Sequence, residues 1–574
     1  MQMVRRGGRH MRRLLPGGRD YVELRSSWLG DLTAGVTVAV VALPLALAFG
    51  VASGVGAAAG LVTAVVAGCV AAVLGGSHLQ VSGPTGAMAV ILLPIVAHHG
   101  SGAVATIAVL AGIVVVLGGV LGLGRLLAYL PWPVVEGFTL GIAVVIAAQQ
   151  VPVALGVPTP DGTNAPLVAA QAVVRAFEQG DVVVVALLVL AVALTAGLTR
   201  FHRAVPAALI GVGAVTAVAE LAHLDVARIG ALPRTLPAPS LPDLSHAGTL
   251  LSAAVAVAAL AALESLLSAR VADGMTDHAR HDSDRELVGQ GLANVASGLF
   301  GGLPATGALA RTAVNARSGA RTRLASLSHA VLLALMMAAA SGLVGRIPLV
   351  ALAGVLLVTA ARMVDRHAVA AVLRSTKTDA LVLLLTAGAT IVLDLVRAVE
   401  IGIVVSVVVA LVRLSRTTQV VDDTNAVLEV SDPQEHALLR QHVLVYRVDG
   451  PLFFAATTRF LHQLVAGADV RVIVLRLGNL LLLDASGARA VAELVRSLQQ
   501  QHVQVVLKVS SPEHTRLLRA VGALDGLEQH GLVLRDLPTA LSLARTLAMG
   551  DAATDPVGPG HRATSGTGRG APAA

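Results

Sequence analysis

Charged groups and aromatic rings are scarce in this 574-residue chain: 13% of residues are charged and 2% aromatic. A soluble domain carries roughly 25% charged residues, so a surface wetted on all sides is excluded. So few rings leave little to stack on nucleic-acid bases, and the net charge of +7 is not read as a nucleic-acid signal. Cysteine occurs once, at Cys69, which rules out an internal disulfide. Lysine occurs twice, at Lys377 and Lys508, so 40 of the 42 basic residues are arginines. With the richness in Ala, Val and Gly, that bias reads as genomic base composition. What abounds is apolar: 55% hydrophobic residues, 58 glycines and a mean hydropathy of +0.77. The class that fits is a polytopic α-helical membrane protein with some soluble mass attached. The sequence carries no nucleotide loop, metal-ligand cluster or nucleophile–base pair. Neither an enzyme nor a nucleotide-driven pump is expected, and no cofactor.

Four stretches follow one another. Residues 1–29 are basic, with Arg5, Arg6, Arg9, Arg12, Arg13, Arg19 and Arg25. Residues 30–416 are a series of apolar runs, residues 440–548 have soluble-domain texture, and residues 549–574 have the Gly/Ala/Pro/Thr composition of a disordered tail. No short apolar core with a cleavage site precedes Leu29, so no signal peptide is expected. At ~20 residues per span, the apolar stretch has room for about fourteen helices. They are expected to start near residues 30, 57, 84, 102, 126, 181, 204, 251, 284, 306, 324, 348, 378 and 398. Arg125, Arg200, Arg203, Arg317, Arg321, Arg323, Arg362, Arg366, Arg374, Lys377, Arg413 and Arg416 all follow even-numbered spans. The long loop after the fifth span holds Asp161, Glu178 and Asp181 against Arg175. By the positive-inside rule, both termini are expected in the cytoplasm of a cell-membrane protein.

Two segments are too polar and too rich in Gly and Pro to begin ordinary spans: Gly76 to Thr85, and Gly301 to Thr306. Each runs into a hexapeptide, Pro84-Thr-Gly-Ala-Met-Ala89 and Ala305-Thr-Gly-Ala-Leu-Ala310, identical at four of six positions 221 residues apart. They fall in the third expected span of each half. With seven spans per half, the halves must be inverted, and paired interrupted helices in the two halves point to a transporter site. Extended backbone at membrane depth is tolerated where it is buried or lines a cavity. Short apolar helices starting there would aim free N–H groups and positive dipole ends at an anion. Thr85 and Thr306 add hydroxyls, Gly86 and Gly307 let the backbone approach, and Ala87, Ala308 and Arg311 complete the candidate substrate-binding set. The plainer reading, two kinks in ordinary spans, does not account for the symmetry.

Glu264 is the one charge in the run Ala253–Ser268, where a carboxylate costs about 3 kcal/mol on the insertion scale. Such a residue reads as a proton or coupling-ion site, with Ser268 one turn on along the same face. Arg311 either raises the positive potential around the anion, pairs with Glu264, or snorkels to the interface. Glu136 reads as interfacial, and His98 and His99 as solvated.

These residues carry a recognisable pattern. Asp31-Leu-Thr-Ala-Gly35, Pro44, Gly60-Leu61, Gly75-Gly-Ser77 and Ser82-Gly-Pro84 resemble the opening of the SulP (sulfate permease) family, relatives of the solute-carrier-26 anion transporters. So do Asp284 to Asn294, Phe300 to Pro304 and Arg311-Thr-Ala-Val-Asn315, while the Glu264 run and Val271-Ala-Asp273 look closest to the bicarbonate-transporter branch. The resemblance implies a seven-plus-seven inverted repeat with a core domain moving against a gate domain. It implies uptake of sulfate, bicarbonate or a dicarboxylate, coupled to H⁺ or Na⁺, or exchange. It maps substrate positions onto Thr85, Gly86, Thr306, Gly307 and Ala308, and the cation site onto Glu264 and Ser268. The chain departs from that branch in having Glu264 for Asp, Leu309 where a Thr ligand is expected, and Ala308-Leu-Ala310 where many members have Ser-x-Ser. Fewer hydroxyls favour H⁺ over Na⁺, since a hard cation wants several oxygen ligands.

In the soluble stretch, strands at 442–448, 471–477 and 503–509 alternate with helices at 487–501, 512–521 and 538–548, an α/β layer pattern. Asp484-Ala-Ser-Gly487 resembles the signature of a STAS domain, which implies a regulatory role at Ser486; from the residues alone Ser486 reads as an N-cap. The domain is expected to regulate or to support a homodimer. Two other readings fit less well: a nucleobase or ascorbate permease, whose family usually lacks such a tail, and a membrane-anchored signalling scaffold, which would need neither Glu264 nor the paired half-helices.

Overall fold

The computed structural model describes residues 14, 16–17, 24–124, 131–162, 164–201, 206–245, 247–276, 280–393, 395–427, 439–453 and 469–550. Arg5, Arg6, Arg9, Arg12, Arg13, Arg19, Arg125, Arg203 and the tail from residue 551 lie outside the described residues. The chain divides into two compact units, Met1–Ser406 and Val407–Ala574.

In the first unit the helices are α1 (Leu24–Ala52), α2 (Ala57–Leu74), α3 (Gly86–His99), α4 (Gly102–Val120), α5 (Trp132–Leu155), α6 (Ala165–Gln179), α7 (Val182–Phe201) and α8 (Ala207–Leu221). There follow α9 (Ala247–Met275), α10 (Ser283–Leu299), α11 (Leu309–Arg317), α12 (Arg323–Val344), α13 (Leu349–Met363), α14 (Arg366–Ser375), α15 (Lys377–Val392) and α16 (Leu395–Arg416), which runs across the division. A helix begins or runs within a few residues of most expected span starts; residues 126 and 204 lie outside the described residues, and residue 306 lies in a strand rather than a helix. Among the described residues, six are long and apolar enough to cross a bilayer: those covering Ser27–Ala52, Ala57–Leu74, Gly102–Val120, Trp132–Leu155, Ala247–Met275 and Arg323–Val344.

Three features differ from expectation. α6 and α14 occupy segments read as loops. Both are amphipathic and capped from within, Asn164 accepting from Leu167 N and Asp365 from His367 N and Ala368 N. α11 was expected to be apolar; it has nine residues, Arg311 and Arg317 among them. At 1.5 Å per residue that is under half of the ~30 Å hydrocarbon thickness.

The helices pack in two groups. α1, α2, α4, α9, α10, α11 and α12 interlock, as do α5, α7, α8, α13 and α15. Glycine makes the closest approach. A Cβ on Gly112 of α4 would lie 2.5 Å from Gly291 O of α10, and one on Gly291 2.6 Å from Gly112 O. Small residues let backbones meet where lipid supplies no hydrophobic drive between helices.

The second unit is an α/β domain. Its strands β3 (Gln419–Asp422), β4 (Val443–Leu452), β5 (Val472–Arg476), β7 (Gln504–Lys508) and β8 (Val533–Leu534) are ordered β3-β4-β5-β7-β8, with β6 (Leu480–Leu483) also on β4. β3 is antiparallel to β4 and the other pairs are parallel. β5 and the centre of β7 are near-continuous apolar runs because helices cover a parallel sheet, while β4 is half-buried along much of its length; α18 (Ala485–Gln500), α19 (Pro512–Ala520) and α20 (Leu537–Gly550) follow in the chain, after the one-turn α17 (Thr424–Val427). β3, from before residue 440, pairs with β4 and joins the sheet.

Candidate functional site

Two strands of two residues each bring the halves together. β1 (Ser82–Gly83) pairs antiparallel with β2 (Thr306–Gly307), Ser82 opposite Gly307 and Gly83 opposite Thr306. So short a ladder leaves most backbone groups of both extended segments to be satisfied by side chains. Glu286 accepts from Gly76 N (2.7 Å) and Ser77 N (2.9 Å). Thr312 accepts from Val81 N, while Asn315 Nδ2 donates to Leu79 O and Ser326 Oγ to Gln80 O. In the second segment Asn294 clamps Ala305 from both sides, Nδ2 to Ala305 O (2.9 Å) and Ala305 N to Oδ1 (2.8 Å). Ser297 and Thr63 hold Leu303 O and N. Glu286 and Asn294 lie in the stretch that carried the family resemblance, and nothing in their spacing disclosed these partners.

Glu264, on α9, stands where the segments meet. Its Oε2 accepts from Thr85 Oγ1 at 2.9 Å and from Thr306 Oγ1 at 2.7 Å. Thr306 is fully buried, whereas Thr85 and Glu264 keep partial exposure. Thr85 is the N-cap of α3 without a side-chain capping bond, its hydroxyl being turned to Glu264. The first helical bond there is Ala89 N to Thr85 O, so the N–H groups of Gly86, Ala87 and Met88 have no partner within the helix.

The second half-helix is built differently. Gly307 N donates to Ser265 Oγ (3.0 Å) and Ala308 N to Val81 O (2.9 Å), holding the chain extended through Ala308. α11 therefore starts at Leu309, two positions later than the hexapeptide alignment implied, with Ala308 as N-cap. Thr306 does not open this helix as expected; it lies in β2.

Ser268 is not bonded to Glu264 through its hydroxyl. Its Oγ donates to Thr312 Oγ1 at 3.0 Å, a turn further along α9, and Ser265 is the serine that reaches the strands. Arg311 does not snorkel: it is 2% exposed and donates from Nη2 to Pro84 O at 2.6 Å. Glycines sit where a side chain has no room: a Cβ on Gly86 would overlap Ile146, and one on Gly307 the amide of Gln80. His98 and His99 are exposed, and Glu136 accepts from Trp132 Nε1. Ser486 does not cap α18; Asp484 does, through Gly487 N at 2.7 Å, and Ser486 is exposed in the first turn.

Two threonine hydroxyls thus meet one carboxylate at the N-terminus of α3, beside a buried guanidinium held on Pro84 O. The sequence matches the sulfate permease family over residues 28–386 and a STAS domain over residues 437–535. The chain belongs to the sulfate permease family. It is 33% identical to the putative sulfate transporter YvdB of Bacillus subtilis, covering 86% of this chain and 93% of that one. It is 31% identical to the bicarbonate transporter BicA of Synechocystis, over 82% of this chain and 86% of that one. Its fold matches the transmembrane domain of a cyanobacterial BicA with a TM-score of 0.61 at 33% identity, over 66% of this chain and 98% of that one. It matches SLC26A9 with a TM-score of 0.79 at 17% identity, over 92% of both chains. The fold is thus the helical transmembrane fold of the solute-carrier-26 type with a C-terminal STAS domain, in a family of anion transporters.

Proposed function

We propose that this chain is a secondary active transporter that imports sulfate, bicarbonate or a small dicarboxylate across the cell membrane together with a proton. The observation that carries the reading is the meeting of Thr85, Thr306 and Glu264 at the N-terminus of α3. When Glu264 is ionised, both threonine hydroxyls are spent on it. An anion arriving beside it meets a like charge, worth about 4 kcal/mol at 4 Å and an effective dielectric near 20. Protonating Glu264 removes that repulsion and makes the acid a donor, which frees the hydroxyls to rotate toward the substrate. The N–H groups of Gly86 and Ala87, the approach at Gly307 and Ala308, and Arg311 then complete the anion's surroundings. Anion and proton thus enter as a unit of lower net charge.

The grouping of α1, α2, α4 and α9–α12 against α5, α7, α8, α13 and α15 supports an elevator, in which a core carries the site past a gate. The reading includes fourteen membrane segments in inverted sevens, cytoplasmic termini, a homodimer, and regulation through the STAS domain, where exposed Ser486 is accessible to a kinase. A Na⁺-coupled bicarbonate symporter is the second reading. It is favoured by the similarity to BicA and by three oxygens, Thr85 Oγ1, Thr306 Oγ1 and a Glu264 carboxylate oxygen, converging within bonding reach. Radiotracer uptake into proteoliposomes tests the assignment. One of the three anions should accumulate under an imposed gradient; accumulation of none would contradict it.

A further inference from the structure

An open groove of about 770 Å³ runs between α7, α13 and the start of α14, on helices that carry none of Thr85, Glu264 or Thr306. Its wall is apolar, with Val192 and Ala196 on α7 and Leu357 and Val358 on α13. Its rim is cationic: Arg362, Arg366 and His367 line the same space. Asp365 also lines it, but its Oδ1 already accepts from His367 N and Ala368 N, as the cap of α14. Arg362 is fixed in place by a 3.0 Å bond from Nη2 to Thr195 O. α14 is amphipathic, with Val372 buried and Arg366, His367 and Arg374 exposed, and Lys377 follows. The stretch 362–377 therefore holds four permanent cations against one carboxylate.

We propose that this groove binds one phospholipid with an anionic headgroup, its phosphate between Arg362 and Arg366 and its upper acyl segment along Val192, Ala196 and Leu357. Two features select this occupant. The charge at the rim is complementary to a phosphodiester, as in basic pockets between spanning helices at the cytoplasmic side. The wall is apolar and the volume lies in the range of small-molecule sites, ~300–1,000 Å³, which gives a free inorganic anion nothing to fill it with. The bound lipid would tie α7 to α13 and seat α14 at the interface.

Native mass spectrometry of the full chain, released from bilayers of equal phosphatidylglycerol and phosphatidylcholine, tests this. The wild type should retain one phosphatidylglycerol in preference to phosphatidylcholine, and millimolar inorganic phosphate should not displace it. Arg366→Gln alone should weaken retention about fivefold, and together with Arg362→Gln about thirtyfold, since each basic residue contributes on the order of 1 kcal/mol to anionic-lipid attraction. Because loss of Arg362 also removes its bond to Thr195, Ala196→Trp serves as a second probe. It fills the groove without touching charge and should abolish retention in a protein of unchanged thermal stability. Equal retention of phosphatidylcholine, displacement by phosphate, or unchanged retention in Arg366→Gln and Ala196→Trp would each overturn the proposal. So would a groove that excludes lipid in a dimer and opens only in the monomer, which would assign the face to a second copy of the chain.

Discussion

Thr306 donates its hydroxyl hydrogen to Glu264 Oε2 at 2.7 Å, and Thr85, 221 residues earlier, reaches the same oxygen. One carboxylate therefore reads both halves of the chain at once, so a change in its charge is felt by both extended segments together.

Removing one hydroxyl should weaken the site without dismantling it. Thr306→Val and Thr85→Val are expected to raise the KM for the transported anion by about ten- to a hundredfold, the worth of a hydrogen bond to a charged group, ~1.5–3 kcal/mol. Thr306→Ser should restore most of the loss. Initial uptake rates against anion concentration check this; an unchanged KM in both valine variants would count against the site.

The glycines that admit the backbone should be intolerant. Gly86→Val places its side chain into Ile146, and Gly307→Val into Gln80. Uptake should be lost in both while the protein still elutes as a single peak in size-exclusion chromatography. Normal uptake by both would remove the anion site from this place.

Asn294 holds the second extended segment. In Asn294→Ala, Ala305 N and O lose their partners in a fully buried position, each costing about 1–3 kcal/mol. A drop in apparent Tm should accompany the loss of uptake, in contrast to the glycine and threonine variants. An unaltered Tm would mean that Ala305 finds other partners.

Truncation after Arg416 removes the whole sheet of the second unit, β3 included. It should lower expression or rate and leave the preference among sulfate, bicarbonate and dicarboxylate as it was. A changed preference, measured by competition against a labelled anion, would place the tail domain in the selectivity machinery.

Sequence periodicity and composition exposed much of this. The paired hexapeptides located the meeting of the halves, and the lone charge in α9 located Glu264, because both signals are local. The register of the second half was not legible. α11 starts late because Ala308 N bonds to Val81 O, a partner 227 residues away, and Gly307 N to Ser265. Helix spacing and the family resemblance both pair Ser268 with Glu264, whereas its hydroxyl donates to Thr312 on another helix. α6 and α14 were missed although Asn164 and Asp365 stand as caps before them; their weak apolar faces were outweighed by the expectation of loops between spans. The polar scaffold of Asp31, Glu286 and Asn294 was present as motif residues, but which loop each one holds depends on tertiary approach. Asp31, for example, accepts from Arg321 N and Thr322 N at the start of α12.

The measurement that bears most directly on the proton-coupled site is anion uptake by proteoliposomes under separately imposed gradients, with the wild type and Glu264→Gln side by side. An inward proton gradient should drive the wild type to accumulate anion, and a Na⁺ gradient at fixed pH should not. Glu264→Gln, permanently neutral but still able to face Thr85 and Thr306, should equilibrate anion without accumulating it. Accumulation driven by Na⁺ alone, or proton-driven accumulation that survives in Glu264→Gln, would contradict the account.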